Sequence, residues 1–573
     1  MPVSDRHNRD PVASVARDAR PGMVHWYQPW LLIQIGVRAL VATVIGQIAD
    51  NRELQAVDYR KQDNLWDYSD SEDLWLDFVA DIGDGWEASH AVACALARDS
   101  IDANGAHLPR AKLLLIGGDL VYPDPSHQGY KDRALSPYQA ACENAGGFDA
   151  DVFALPGNHD WYDGLHAFQD IFCHDPAESP EWPLGCWSKR QTHSYFALRL
   201  PHNWWVLAPD VQLDDRINPA QRAYFRRIAT HMDANSRVVL IAPFPNWAQI
   251  DPNANDGVLR WMKTLCEDTG AELRLVLTGD LHHYARFEQD TNSPMQLITS
   301  GGGGAFLHPT HTLPNRVDLR ALDKTTAPKT ETRTTEIVQR QVWPAQKTSR
   351  RMTLGNLLFP ATNWQLSLFV GFVYTMLAWV LETRLLVGDA AVSTLFHNML
   401  ENHAGIGGTL TRMIAMLPKS PEFALVIVLT AAGLTAFNEN CRAGTRLLLG
   451  TFHTLLHVVG LIITYCLAIE ITDWLDGYLN ALSFSFFWFL LCMITIGGGV
   501  GGVVIGLYLG LSLNLFGANI TNAFSSLRLP TYKNFLRLHI SDNGELTVHA
   551  LGIEQPQGEQ SVIQAIDNTV VIK

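Results

Sequence analysis

Up to about residue 304, short apolar runs alternate with amphipathic stretches; beyond about residue 364, apolar residues run almost unbroken. Leu76–Ala80, Lys112–Ile116, Val152–Leu155, Trp204–Ala208, Val238–Ala242, Leu273–Thr278 and Met295–Thr299 have the length and composition of buried strands. Ala88–Ala97 and Pro219–His231 carry a helical period, and Asn218 before Pro219 supplies an N-cap and a first-turn proline. Together they predict a layered α/β domain. Near the C-terminus, Asn534–Ile540 and Leu546–Ala550 alternate around Asp542-Asn543-Gly544, which predicts a hairpin and a small C-terminal β element.

The apolar half reads as an α-helical transmembrane bundle. Leu366–Val387, Phe423–Phe437 and Leu447–Ile469 are the first three spans, with Glu382 and Arg384 placed to snorkel. Leu482–Phe516 is too long for one crossing and holds Gly497-Gly498-Gly499-Val500-Gly501-Gly502. It is read as two helices joined at the glycines, giving four to five spans. His453 and His457 share a helix face and suit helix–helix hydrogen bonding. Trp30–Ala49 is long enough to span, yet Gln34 and Arg38 give it a polar stripe, and a central Arg is costly there. We read it as an amphipathic helix on the membrane or on the protein's own helices. The chain then divides into 1–69 (arm and amphipathic helix), 70–311 (α/β domain), 312–363 (basic linker), 364–517 (transmembrane region) and 518–573 (hairpin tail).

A net charge of -15 argues against a nucleic-acid partner. The basic linker, Arg442 and Arg446 lie on one side of the spans; Glu470, Asp473 and Asp476 lie on the other. This predicts an integral membrane protein with a cytoplasmic α/β domain. Arg528, Lys533 and Arg537 prefer that same side, which five spans would deny them. The eight cysteines form no CxxC pair, and Cys173 and Cys186, flanking a Pro-rich loop, read as free thiols. The polar first 23 residues show no signal peptide.

The chemistry sits just past the strands. Asp81-Ile82-Gly83-Asp84, Gly118-Asp119, Gly157-Asn158-His159-Asp160 and Gly279-Asp280-Leu281-His282 each follow an apolar run. Open α/β sheets build sites at that end, and oxygen ligands mixed with His suit Mn, Fe, Zn or Mg. In order and spacing these blocks resemble the calcineurin-like metallophosphoesterases over roughly residues 70–311. The resemblance implies a β-sandwich flanked by helices, two divalent ions, and hydrolysis of a phosphate mono- or diester by metal-activated water. It implies metal ligation by Asp81, Asp119, Asn158, Asp280 and His282, with Asp119 bridging. It places His159 against the phosphate and Asp160 behind it, holding the ring.

Three expected histidines are absent. Gly83 stands at one position, where Asp84 is the substitute ligand or else a turn residue. Pro243 stands near the second, and Asp280 itself replaces the third. His283 points elsewhere on an extended chain. The turn Gly301–Gly304 lets backbone approach the site, and His308 or His311 beyond it either replaces a lost ligand or, the reading we favour, lies in an exposed loop. The expected partners are a phosphate-ester substrate, compatible with a lipid-linked one, and the bilayer. The lost histidines support a second reading, a catalytically degenerate phosphoesterase acting as a membrane scaffold or sensor. Transport has no support, since neither a charged pathway nor an inverted repeat is evident.

Overall fold

The computed structural model describes residues 20–46, 65–173, 182–211, 217–248, 257–289, 295–318, 336–386, 421–439, 441–479 and 485–573, with single residues 408 and 411. The arm before residue 20, the Pro-rich loop and the middle of the basic linker lie outside the described residues, as do the side chains of Arg38, Glu382 and Arg384.

Helix α1 (Pro29–Gly46) precedes the first sheet. In that sheet β1 (Leu74–Val79), β2 (Leu113–Ile116) and β3 (Ala150–Ala154) pair in parallel, with α2 (Trp86–Ala97) between the first two in sequence. Both faces are covered, which is why these strands read as unbroken apolar runs. A nine-stranded sheet holds β4 (Trp204–Ala208), β5 (Arg237–Ala242), β6 (Glu272–Thr278), β7 (Tyr284–Gln289), β8 (Gln296–Ser300) and β9 (Glu336–Trp343). Their spatial order is β4-β5-β6-β8-β7-β9. Between β4 and β5 in sequence comes α3 (Pro219–Ala229), capped by Asn218, whose Oδ1 accepts the Gln221 N–H at 2.9 Å. Phe78, Leu115 and Phe153 of one sheet meet Val206, Ile241, Leu277 and Ile298 of the other in one buried cluster. Helix α2 covers the outer face of the first sheet, and α3 that of the second. All seven strands drawn from the sequence are present.

The apolar half contains α4 (Trp364–Leu386), α5 (Pro421–Phe437), α6 (Ala443–Leu479) and α7 (Ser485–Phe516). Two stretches, Ala443–Leu475 and Phe487–Phe516, are long and apolar enough to cross a membrane. Helix α7 is unbroken, so the reading of two helices joined at the glycines is corrected. The glycines are a contact face: a Cβ on Gly498 would lie 3.0 Å from the Ser367 carbonyl oxygen, and one on Gly497 3.3 Å from Gly371 Cα. His457 bonds His453 at 3.2 Å and the Tyr374 hydroxyl of α4 at 2.8 Å, tying α6 to α4.

After the short helix α8 (Ile520–Ser525), the expected hairpin forms as β10 (Lys533–Ile540) and β11 (Leu546–Ile553). It is no separate tail. Strand β10 pairs antiparallel with β1, in the register Arg537 opposite Asp77. The two side chains form a fully buried double contact, Nε to Oδ1 and Nη2 to Oδ2, both 2.8 Å. Two stretches assigned to the linker also join the nine-stranded sheet: Arg316–Asp318 pairs with β9, and β9 with β7. The cysteine reading is corrected as well. Cys186 is bonded to Cys142, 44 residues away in sequence, while Cys173 is a buried free thiol.

Candidate functional site

Asp81, Asp119 and Asp280 stand just past the ends of β1, β2 and β6. Each has a left-handed backbone, with φ of 60°, 47° and 65°. Non-glycine residues adopt this region rarely, and such strain gathers at functional sites. Neighbouring loops hold the geometry. The Asp81 N–H donates to the Gly118 carbonyl (3.0 Å), and the Ile82 N–H to that of Asp119 (3.1 Å). This close approach explains the histidine missing at Gly83: any Cβ there would fall on the Leu120 carbonyl oxygen. Gly157 is confined in the same way by the Asp119 carboxylate, whose Oδ1 accepts the His159 N–H at 2.9 Å.

A residue outside the expected set occupies the centre. The Tyr122 hydroxyl lies 2.9 Å from Asp81 Oδ1, 3.0 Å from Asp119 Oδ2 and 3.1 Å from His282 Nε2. His282 Nδ1 is 2.7 Å from the Phe306 carbonyl, so Nδ1 carries the hydrogen and Nε2 turns its lone pair to this centre. The sequence signal for Tyr122 was a hydroxyl three residues beyond Asp119, which a search for carboxylates and imidazoles passes over.

Among the described residues, no three His, Cys, Asp or Glu side chains converge as a metal shell by themselves. The Tyr122 oxygen changes the donor set. In an octahedral shell with bonds of about 2.1 Å, adjacent donors sit about 3 Å apart, the separation of Tyr122 from its three neighbours. Burial first, then Asp119 and Asp280, hold the Asp81 carboxyl well above the usual range. Desolvation pushes Asp119 up to about 7 and Asp280 to about 7. Lys533 of β10 is the buried amine nearby; desolvation brings it down to about 7, and it donates to the Ala305 carbonyl. The cluster is thus rich in buried oxygen ligands and poor in positive charge, a donor set suited to one hard cation.

Other expected residues fall differently. Asp84 is no ligand here: its two carboxylate oxygens accept the N–H groups of Val24 (2.8 Å) and Phe306 (3.1 Å), clamping the N-terminal segment to the glycine-turn loop. Asp160 does not hold the His159 ring. It accepts the Gly157 N–H (2.8 Å), the Leu120 N–H (3.1 Å) and the Tyr130 hydroxyl, bracing the loops after β2 and β3. The His159 ring instead packs against Tyr122, centroids 4.4 Å apart, with Trp26 and Tyr162 around it. Desolvation brings it down to about 4. His308 is buried rather than exposed and stacks on His282 at 4.0 Å; His311 is partly buried and bonds Ser349 Oγ at 2.8 Å. The turn Gly301–Gly304 does lie against the site, the Gly303 N–H donating to the Ala80 carbonyl at 2.9 Å.

A cavity of about 380 Å³ opens over the cluster. Asp119, Asn158, His159, Asp280, His282 and His308 form its floor. Phe437 at the end of α5, Glu439 just beyond it, and Asn522 and Ser525 of α8 also line it. The turn after β5, where Pro243 replaces a histidine, contributes Ala248 to the wall.

The family model for calcineurin-like phosphoesterases matches residues 74–284. The chain carries a calcineurin-like phosphoesterase domain. Similar solved structures include GAP50 of Plasmodium, described as the anchor in its inner membrane complex, at 12% identity and TM-score 0.31, over 41% of this chain and 74% of that one. Others are the purple acid phosphatase PPD1 of yellow lupin seeds (11% identity, TM-score 0.27, 41% of this chain and 45% of that one) and PhoD (11%, 0.29, 41% and 58%). No curated protein matches the chain. Strand β10, at residues 533–540, lies outside the matched segment yet completes the phosphoesterase domain's first sheet.

Proposed function

We propose that the chain is a membrane-anchored, metal-dependent phosphoesterase. The observation that carries this reading is the meeting of Asp81, Asp119, Tyr122 and His282 at one point beneath a cavity floored by Asn158 and His159. These four side chains would hold a divalent ion, one where the resemblance implies two. When bound, such an ion supplies Lewis-acid polarisation of a phosphoryl oxygen. The His159 imidazole, kept neutral by desolvation, offers an N–H to the phosphate, and the Asn158 amide stands beside it. Loops zipped backbone to backbone keep these groups in place before substrate arrives.

The membrane half of the proposal rests on outward-facing apolar side chains along α4 to α7. Leu447 and Leu515, for example, are 61% and 69% exposed. A surface of that kind is costly in water and suited to lipid. Chain connectivity adds a constraint. Strands before α4 and after α7 share one sheet, so the number of crossings must be even. An unbroken α7 removes the five-span count that set Arg528, Lys533 and Arg537 on the wrong side. Arg442 and Arg446 assign that common side to the cytoplasm.

Metal content per chain, measured with hydrolysis of p-nitrophenyl phosphate and bis-p-nitrophenyl phosphate, tests the reading. We expect about one divalent ion per chain, lost together with hydrolysis in Asp119→Ala. A second reading, a degenerate phosphoesterase serving as scaffold or sensor, is favoured by Pro243 in place of a histidine. It takes over if the protein binds none of Mn, Zn, Fe and Mg and cleaves neither ester.

A further inference from the structure

The cavity above the Asp–Tyr–His cluster has an apolar neighbour. A second cavity of about 250 Å³ runs among α1, α4, α5 and α6, and the two have Tyr27, Leu32 and Phe437 in common. Their characters are opposite. The first presents carboxylates and imidazoles, including the His283 ring nitrogens and His308 Nε2, buried with no hydrogen-bond partner among the described residues. The second is walled by Phe369, Val373, Leu434, Val458 and Leu461. Several polar groups on its border bond one another: the Tyr374 hydroxyl with His457, His457 with His453 Nε2, and Thr454 Oγ1 with the Gly450 carbonyl at 2.8 Å, while the buried His453 Nδ1 has no hydrogen-bond partner among the described residues. Most of its wall is hydrocarbon, which suits an apolar occupant.

We propose that the two cavities are one binding site for an amphiphile, a phosphate ester whose headgroup lies over the Asp81–Asp119–Tyr122–His282 cluster and whose hydrocarbon chain lies in the groove between α4, α5 and α6. This rests on the phosphoesterase reading for the headgroup and extends it to a substrate class. The shared lining of Tyr27, Leu32 and Phe437 sets the groove directly beside the candidate site, which argues for one molecule filling both. The throat formed by Tyr27, Leu32 and Phe437 is where headgroup gives way to chain. Tyr27 is fixed there by its hydroxyl bond to the Asn522 carbonyl (2.9 Å) and its edge-on packing with Phe359 (5.0 Å).

The test titrates full-length protein in phosphatidylcholine nanodiscs, with Mn(II), against ethyl, butyl, hexyl and octyl phosphonate. These headgroups resist hydrolysis, so the readout is binding, with Kd referred to free aqueous ligand. Empty discs measure partition into lipid. Beyond that partition, we expect affinity to rise by up to about fourfold per methylene. Leu434→Trp, which fills the groove, should cut the octyl-to-ethyl affinity ratio by about tenfold. A wild-type series that stays flat from ethyl to octyl once uptake by empty discs is subtracted overturns the inference, as does an octyl-to-ethyl ratio unchanged in Leu434→Trp. If p-nitrophenyl phosphate is still cleaved in that case, the phosphoesterase reading stands without it. A steep series in a protein that cleaves no ester upholds the amphiphile site and removes the hydrolytic reading.

Discussion

Tyr122 decides what the cluster is. A hydroxyl about 3 Å from two carboxylates and an imidazole acts as a hydrogen-bonding plug or as a fourth donor. Tyr122→Phe separates the two. If the oxygen is a donor, its loss should weaken divalent-ion affinity by about 10- to 100-fold, by analogy with losing any supporting ligand group. Equilibrium dialysis with Mn(II) reads this, and unchanged or tighter binding would identify a plug. The same cluster predicts a pH dependence. Asp119 and Asp280 rise to about 7 in the fold from 3.8. The metal-free folded state therefore holds more protons than the unfolded chain between about pH 4 and 7, and its stability falls as pH rises through that window. Thermal melts of chelated protein should show a declining Tm across it, and added Mn(II) should reverse the decline. That Asp81, Asp119, Asn158, Asp280 and His282 would gather at one end of the sheets was legible because such residue types recur at strand ends. The roles of Asp84 and Asp160 were not, because which backbone N–H groups a carboxylate meets depends on loops distant in sequence.

At the scale of elements, two segments carry the lessons. Helix α7 contains six closely spaced apolar and glycine positions that resemble a break, yet it stays helical because Gly497 and Gly498 let α4 approach backbone to backbone. Gly498→Leu should then destabilise the α4–α7 pair by about 1–3 kcal/mol, the usual range for overpacking; detergent-resistant thermal melts would report it. Strand β10 shows the converse. Its alternation and the Asn-Gly turn named a hairpin correctly, but a hairpin pattern does not say which edge it will join. Arg537 decides that, through its buried pair with Asp77. Arg537→Ala leaves a buried carboxylate unpaired and should cost about 3–5 kcal/mol, read as a lower midpoint in urea.

At the scale of the whole molecule, the chain leaves the first sheet, passes through the apolar helices and returns to the same sheet. A chain ending at residue 517 lacks β10 and β11, and β1 would lose its antiparallel neighbour. We expect such a chain to be aggregated or protease-sensitive throughout residues 70–311. A discrete protease-resistant domain of that size would show the hairpin to be dispensable. The return also brings Lys533 into the site.

The sequence by itself determined the strands, the family of the domain and most residues of the candidate site, because burial on two faces and turn chemistry at strand ends are local properties. It also determined that one half is apolar enough for lipid. Only the tertiary structure decided that Tyr122 stands at the centre, that Asp84 and Asp160 serve the backbone, and that Cys142 meets Cys186. It alone made the last strands part of the first sheet and set the polar cavity beside an apolar groove. Each of those depends on contacts between residues far apart in the chain, where no local pattern records the partner.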